Sequence, residues 1–237
     1  MHKGWPEFSF AFQPIVNVAT HTIVSYEALV RGREQQTALQ ILQSVSDTDR
    51  YHLDETLRQQ AIQLAARLKI GCNLNLNLLP LALEVSETAV HSTLAMAEKH
   101  GIPTSRIALE IVESEIINNV DWFVQSINDF RSLGVHISID DFGAGYSGLN
   151  LLASFQPDSI KIDMSLMRDI DSIGPKQAIV RGIVRTCLDL GIDIIAEGIE
   201  TDDEYSWCKD EGIELYQGYY FAKPEFEMLP NAYFPNY

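Results

Sequence analysis

Several short stretches of the chain alternate apolar and polar residues with a period of two. Leu74, Leu76 and Leu78 alternate with Asn73, Asn75 and Asn77. Val135, Ile137 and Ile139 alternate with His136, Ser138 and Asp140, and Ile160 and Ile162 with Ser159, Lys161 and Asp163. Successive strand residues point to opposite faces, so each stretch predicts a strand with one apolar and one polar face. Together with runs rich in β-branched and apolar residues, they predict strands at 9–16, 23–31, 72–78, 107–113, 135–142, 159–164, 192–197 and 214–221. Between them apolar residues recur three to four apart. That spacing predicts helices at 47–69, 83–100, 118–133, 147–154, 174–190 and 201–211.

The connection between the first two strands, 17–22, is short and polar, which allows only an antiparallel hairpin. From the second strand on, strands and helices alternate without a linker. This order predicts a single domain over residues 1–237, built as a closed α/β barrel. An open doubly wound sheet is the alternative, and the absence of a GxGxxG fingerprint weakens it. Strands covered by helices on both faces read as almost continuously apolar. The polar faces found here therefore point into a barrel interior, where polar groups must be paired or hold a ligand.

Composition narrows the function. The 237 residues include 17 Lys and Arg against 33 Asp and Glu, a net charge of −16, and 46% are hydrophobic. The apolar share supplies a core and excludes a disordered chain. The acidic excess argues against DNA, RNA or an anionic membrane as partner. No apolar run approaches the roughly 20 residues that span a bilayer. Residues 1–8 hold no apolar signal region. Cys72, Cys187 and Cys208 form no CxxC pair, so free thiols and a cytoplasmic location are expected. The histidines lack chelating helical spacing, so any metal needs oxygen ligands.

Such ligands gather near the C-terminal ends of the predicted strands: Glu27, Asn77, Glu110, Asp140 with Asp141, Lys161, Glu197 and Gln217. Barrel active sites lie on that face, where residues distant in sequence converge. Ionised carboxylates in one dry mouth repel strongly. Two divalent cations and Lys161 would balance them, and oxygen donors of this kind favour Mg²⁺ or Mn²⁺. Two such ions are the usual apparatus for cleaving a phosphodiester.

Tyr26-Glu27-Ala28-Leu29-Val30-Arg31-Gly32 resembles the signature of the EAL-domain family of cyclic di-GMP phosphodiesterases. Phe12-Gln13-Pro14-Ile15-Val16 is similar to the family's opening strand, and Glu110-Ile111-Val112-Glu113 to its ExxE element. Asp140-Asp141-Phe142-Gly143 matches its DDFG loop. Lys161-Ile162-Asp163, Glu197-Gly198-Ile199-Glu200 and Gln217-Gly218-Tyr219 follow in order. The resemblance implies a modified (β/α)8 TIM-like barrel with an antiparallel first strand. It implies hydrolysis of cyclic di-GMP to linear pGpG, which lowers a bacterial second messenger tied to biofilm formation. It casts Glu27, Asn77, Glu110 and Asp140 as ligands of one cation, and Asp140, Asp141 and Glu197 as ligands of a second. Lys161, Glu27 and Glu197 take catalytic roles, with Lys161 positioning the attacking water. Gln13, Leu29, Arg31 and Gln217 become substrate contacts, and Glu113 anchors the DDFG loop. The cations implied are Mg²⁺ or Mn²⁺, with Ca²⁺ inhibitory. A homodimer through the loop and helix of residues 140–155 is also implied. The alternative within the family is an inactive cyclic di-GMP receptor or protein-interaction module.

Two departures from the family pattern stand out. Asn77 is followed by Leu78 and Leu79 instead of x-Ser, so Asn75 is the other candidate ligand; Pro80, which ends the strand, favours Asn77. Ala144 and Gly148 replace residues that are commonly Thr and Ser. Simpler roles are also open to some of these residues. Asp140-Asp141 could cap a helix, His136 could fill the barrel, Glu200 could lie on the surface, and Tyr219 and Tyr220 could stack on a base or pack. Glu110 and Glu113 are an odd number of residues apart, so a regular strand points them to opposite faces.

Overall fold

The computed structural model describes residues 5–34, 36–85, 89–112, 120–145 and 148–235. Strand β1 (Phe8–Asn17) pairs antiparallel with β2 (Thr22–Gly32) along its whole length. Parallel strands β3 (Asn73–Leu78), β4 (Ile107–Val112), β5 (His136–Phe142), β6 (Ser159–Ile162), β7 (Asp193–Ala196) and β8 (Leu215–Tyr216) follow in order. β8 pairs with β1, and β1 with β2, which closes the barrel. The closed barrel with an antiparallel first strand is the fold expected from the sequence.

The period of two in the sequence divides the barrel's two faces. Leu74, Leu76, Leu78, Ile137, Ile139, Ile160 and Ile162 are all buried in the apolar layer under the helices. Their neighbours Asn75, Ser138 and Lys161 are buried too, but in the lumen. Helices α1 (Ala38–Gln43), α2 (Asp47–Arg67), α3 (Pro80–Val85), α4 (Ala89–Lys99), α5 (Val120–Ser132), α6 (Gly148–Ser154), α7 (Met164–Met167), α8 (Gly174–Leu190) and α9 (Asp202–Asp210) accompany the strands. No helix among the described residues is long and apolar enough to cross a membrane.

Four details differ from the sequence reading. The helix expected at 83–100 is two helices, α3 and α4; Pro80, expected only to end the strand, begins α3, as its fixed φ and missing N–H allow. The six-residue α1, opened by a Thr37–Gln40 capping box, and the four-residue α7, capped by Asp163, were not anticipated. The strand expected at 214–221 is only β8. Beyond it the chain turns at Gly218, and Tyr220 and Phe221 join Tyr205, Tyr216 and Tyr233 in an aromatic cluster. A ninth strand, β9 (Glu225–Phe226), pairs with Ala11 and Phe12 of β1.

Gly218 lies where two site loops touch. A Cβ there would sit 2.0 Å from the Ile199 carbonyl oxygen and 2.4 Å from its nitrogen. Both are backbone atoms held by hydrogen bonds, Ile199 N to Gln217 O and Tyr220 N to Ile199 O. Gly218→Ala should therefore cost about 1–3 kcal/mol, the usual penalty of overpacking, and displace Gln217. A thermal melt of the variant that matches the parent would contradict this.

Candidate active site

Lys161, in the middle of β6, is 1% exposed and ends in the barrel lumen. Its Nζ lies 3.2 Å from Glu27 Oε2, 3.2 Å from Glu110 Oε1, 2.8 Å from Asp140 Oδ1 and 2.7 Å from Glu197 Oε1. Four carboxylates from β2, β4, β5 and the end of β7 thus meet one ammonium. The parallel register explains the convergence. Glu110 lies beside Asn77 on one side and Ser138 on the other, and Asp140 lies beside Val112.

Asp140 and Asp141 are adjacent, and a regular strand would point them apart. The structure solves this with an irregular register between Ile139 and Phe142 and a left-handed Asp141, φ 53°. Such a bulge redirects a side chain at a strand end. As a result oxygen atoms of Asp140, Asp141 and Glu197 lie within 4.8 Å of one another, as do those of Glu27, Glu110 and Asp140. Asp140 belongs to both groups. The pair does not cap a helix, because α6 begins only at Gly148.

Amides complete the ring. Gln217 Nε2 donates to Glu27 Oε2 at 2.7 Å and to Gln13 Oε1 at 3.3 Å. Gln13 Nε2 donates to the Ala222 carbonyl. Asn77 Nδ2 donates to Glu27 Oε1 at 3.2 Å, and Asn75 Nδ2 to Glu110 Oε1 at 2.8 Å. Asn75 and Asn77 of β3 thus both touch the cluster. Asn75 is buried deep in the lumen, whereas Asn77 is exposed at the mouth. Leu29 and Arg31 line a cavity of about 330 Å³ together with Glu27, Asn77, Asp140 and Asp141. Glu113 lies outside the described residues.

Other sequence candidates fall elsewhere. His136 does not fill the barrel: it opens β5 and is exposed at the opposite end, beside Asn73 and Ser159. Tyr220 packs in the aromatic cluster and donates to Asp202, while Tyr219 is exposed with the Lys223 ammonium 5.3 Å from its ring centre. Glu200 pairs with Arg168 at 2.7 Å, away from the cluster. Asp163, given no role from sequence, caps α7 and adjoins Asp141. Its place after Lys161 in an alternating strand was the available signal.

Electrostatics follow from this crowding. Burial opposes charge on Glu27, but the Lys161 ammonium and hydrogen bonds from Gln217 and Asn77 hold its carboxyl below the usual range. Burial and then the Glu27 charge push Glu110 well above that range. Burial, against Lys161 and with the charges of Asp140 and Glu27, brings Glu197 up to about 8. Burial and the Asp140 charge bring Asp141 to about 6. Burial works against the charge of Lys161, but Asp140, Glu110, Glu197 and Glu27 hold it protonated far into the alkaline range. One ammonium does not balance this set. Buried oxygens Glu110 Oε2 and Gln217 Oε1 also lack hydrogen-bond partners. Orphaned oxygens beside clustered carboxylates fit hard divalent cations.

The raised carboxyls fix the sign of a pH effect. Glu197 and Asp141 move up from 4.5 and 3.8, so the folded, cation-free chain takes up protons. The stabilisation is complete below about pH 4 and is lost as pH rises through about 6 and then 8. Glu27, held low, contributes throughout that window and does not reverse the sign. Chelator-treated protein should therefore melt at lower temperature at about pH 8.5 than at about pH 5, and saturating Mg²⁺ should remove the difference. A melting temperature that does not change with pH and Mg²⁺ would refute this.

Comparison with known proteins places this geometry. A family model described as the EAL domain matches residues 3–224. The Blue light- and temperature-regulated antirepressor BluF of Escherichia coli is 34% identical over 227 residues, 95% of this chain and 56% of BluF. The Cyclic di-GMP phosphodiesterase NbdA of Pseudomonas aeruginosa is 30% identical over 226 residues, 90% of this chain and 28% of NbdA. The chain thus spans about half or less of these relatives' length. A standalone versatile EAL protein of Vibrio cholerae O395, solved in its c-di-GMP bound form, superposes with a TM-score of 0.91 at 43% identity, covering 96% of each chain.

Proposed function

The chain belongs to the EAL domain family, and on that premise we propose that it is a metal-dependent phosphodiesterase that hydrolyses cyclic di-GMP to linear pGpG. One observation carries this reading: two groups of carboxylate oxygens, Glu27 with Glu110 and Asp140, and Asp140 with Asp141 and Glu197, share Asp140 beside the Lys161 ammonium, and Asn77 reaches Glu27. Glu27, Asn77, Glu110 and Asp140 would hold one divalent cation, and Asp140, Asp141 and Glu197 the other. When bound, these ions supply Lewis acidity and neutralise the charge that develops on the phosphoryl oxygens. The surrounding carboxylates favour the ammonium form of Lys161, which suits it to orient a water or phosphoryl oxygen by donation. Gln217 fixes the carboxyl of Glu27 and is itself held by Gln13, and both face the substrate. Leu29 and Arg31 sit on the cavity wall, where the guanidinium offers charge to a phosphate. The free thiols suit a cytoplasmic setting.

A second reading has one observation in its favour: BluF, an antirepressor, shares the fold family. In that reading the site binds cyclic di-GMP without turnover. Incubation with cyclic di-GMP and Mg²⁺ or Mn²⁺, followed by chromatography, separates the two. The enzyme yields pGpG, loses activity reversibly in EDTA and is inhibited by Ca²⁺, whose longer bonds loosen the site. Glu27→Ala should lower turnover by roughly 100-fold or more, beyond what loss of a ligand's outer partner costs, and leave the circular-dichroism spectrum unchanged. Binding without product in the parent protein would support the receptor.

We also propose a homodimer through the β5–α6 loop and α6. Leu149 of α6 is 63% exposed and Ile179 of α8 is 53% exposed. The two line a groove of about 710 Å³ whose floor includes Phe142, Gly143 and Gly145. Apolar patches of this kind mark association surfaces. Sedimentation should show a dimer in the parent and a monomer in Leu149→Glu. A parent that sediments as a monomer at every concentration rules the dimer out.

A further inference from the structure

Behind the mouth, α2 buries two more charges. Asp54 and Arg58 are 4% and 2% exposed and lie one helical turn apart, on the same face. Arg58 Nη1 bonds to Asp54 Oδ2. Both residues also reach the end of β3. Arg58 Nη1 donates to the Asn77 carbonyl at 3.4 Å, and Asp54 Oδ1 accepts from the Leu79 N–H at 3.4 Å. Arg58 Nε donates to Thr93 Oγ1 of α4 at 3.2 Å, which ties the guanidinium to a second helix. Nη2 is buried without a hydrogen-bond partner.

The sheet explains why something must hold this segment. The ladder from β2 to β3 covers Asn73, Leu74 and Asn75 and stops there. Asn77 is therefore paired only toward β4, through Glu110. On its other side the strands part, and the cavity of about 330 Å³ opens between Asn77 and Leu78 of β3, with Leu79 after them, and Ala28 and Val30 of β2. Asp54 and Arg58 line that same cavity. They bind the backbone on both sides of Leu78 where the ladder has run out. A buried ion pair stabilises a fold no better than well-packed apolar residues of the same volume. With the Nη2 amino group left unpaired, this pair is a costly way to fill space. Its contacts point instead to placement.

We propose that the Asp54–Arg58 pair is a positioning device for Asn77. By fixing the backbone from Asn77 to Leu79, it keeps the Asn77 amide on Glu27 and out of the gap, and so sets the affinity of the cation site that Glu27 and Asn77 share. The inference rests on the reading of Asn77 and Glu27 as cation ligands. The pair touches neither Asp141 nor Glu197, so the second site is unaffected.

The test uses the full chain and Mn²⁺ binding, followed by calorimetry and electron paramagnetic resonance, besides thermal melts. Asp54→Leu combined with Arg58→Met removes both charges and strands neither. It should fold and melt at or above the parent's temperature, weaken one Mn²⁺ site about 10- to 100-fold and spare the other. Adding Asn77→Ala to that double variant should weaken the site little further, because both changes act through one side chain. Arg58→Lys, the variant safest for folding, keeps the charge but loses the fork that reaches Asn77. It should weaken the same site in part. If the apolar pair or Arg58→Lys binds Mn²⁺ as the parent does, or Asn77→Ala adds its full effect, the positioning role is overturned. If the parent binds no Mn²⁺, the cation reading itself falls, and this inference with it.

Discussion

The structure depends on one interaction: the buried Lys161 ammonium held among Glu27, Glu110, Asp140 and Glu197 in the barrel lumen. Buried charges are costly unless paired. Here the pairing is incomplete by charge, and the raised carboxyls of Glu110 and Glu197 show the strain. The barrel tolerates this because its stability is supplied elsewhere. The apolar layer between strands and helices takes every second residue of β3, β5 and β6, and leaves the lumen free to hold polar groups. One alternating pattern therefore performs two tasks that a wholly apolar strand could not combine.

The unusual backbone follows from the same demand. Two neighbouring carboxylates must face one mouth, which an extended strand forbids. Asp141 takes a left-handed conformation, and Gly143 follows at φ 95°, where a Cβ would meet Leu166. Gly218 lets the loop of Gln217 close onto Ile199, two residues beyond Glu197. At Asp141, Gly143 and Gly218 the left-handed or crowded backbone borders the site. These positions bring the Asp141 carboxylate beside Asp140 and Glu197 and the Gln217 amide onto Glu27.

This division explains what could be read from the sequence. The alternation in Asn73–Leu78 states both its strand and its two faces, and the short polar link after β1 states the hairpin. Glu27, Glu110, Asp140, Lys161, Glu197 and Gln217, which the structure brings together, each stand within a recognisable motif of the sequence. Short elements were not: α7 and β9 are too brief for any period to show. The apolar run from Tyr219 to Phe221 reads as strand, yet Tyr220 and Phe221 serve an aromatic cluster. Asp54 and Arg58 were missed because charges one turn apart on a helix look like a solvated surface pair. Only the tertiary structure shows them buried under β3.

The charge of the chain makes the proposed cations part of recognition as well as chemistry. The net charge is −16, and the proposed substrate, a cyclic dinucleotide, carries two anionic phosphodiesters. An acidic mouth repels such a molecule, and low dielectric strengthens the repulsion. Lys161 does not offset it, because its charge is already shared among four carboxylates. Arg31 lies on the cavity wall with its Nη1 engaged by the Val30 carbonyl. Additional positive charge that enters the cluster therefore eases the approach of a phosphate to Glu27 and Asp140. Ions that do so remove the repulsion between the carboxylates and admit the anionic ligand in the same act. Occupancy of the cation sites and affinity for the dinucleotide are then thermodynamically linked, each raising the other by the same factor.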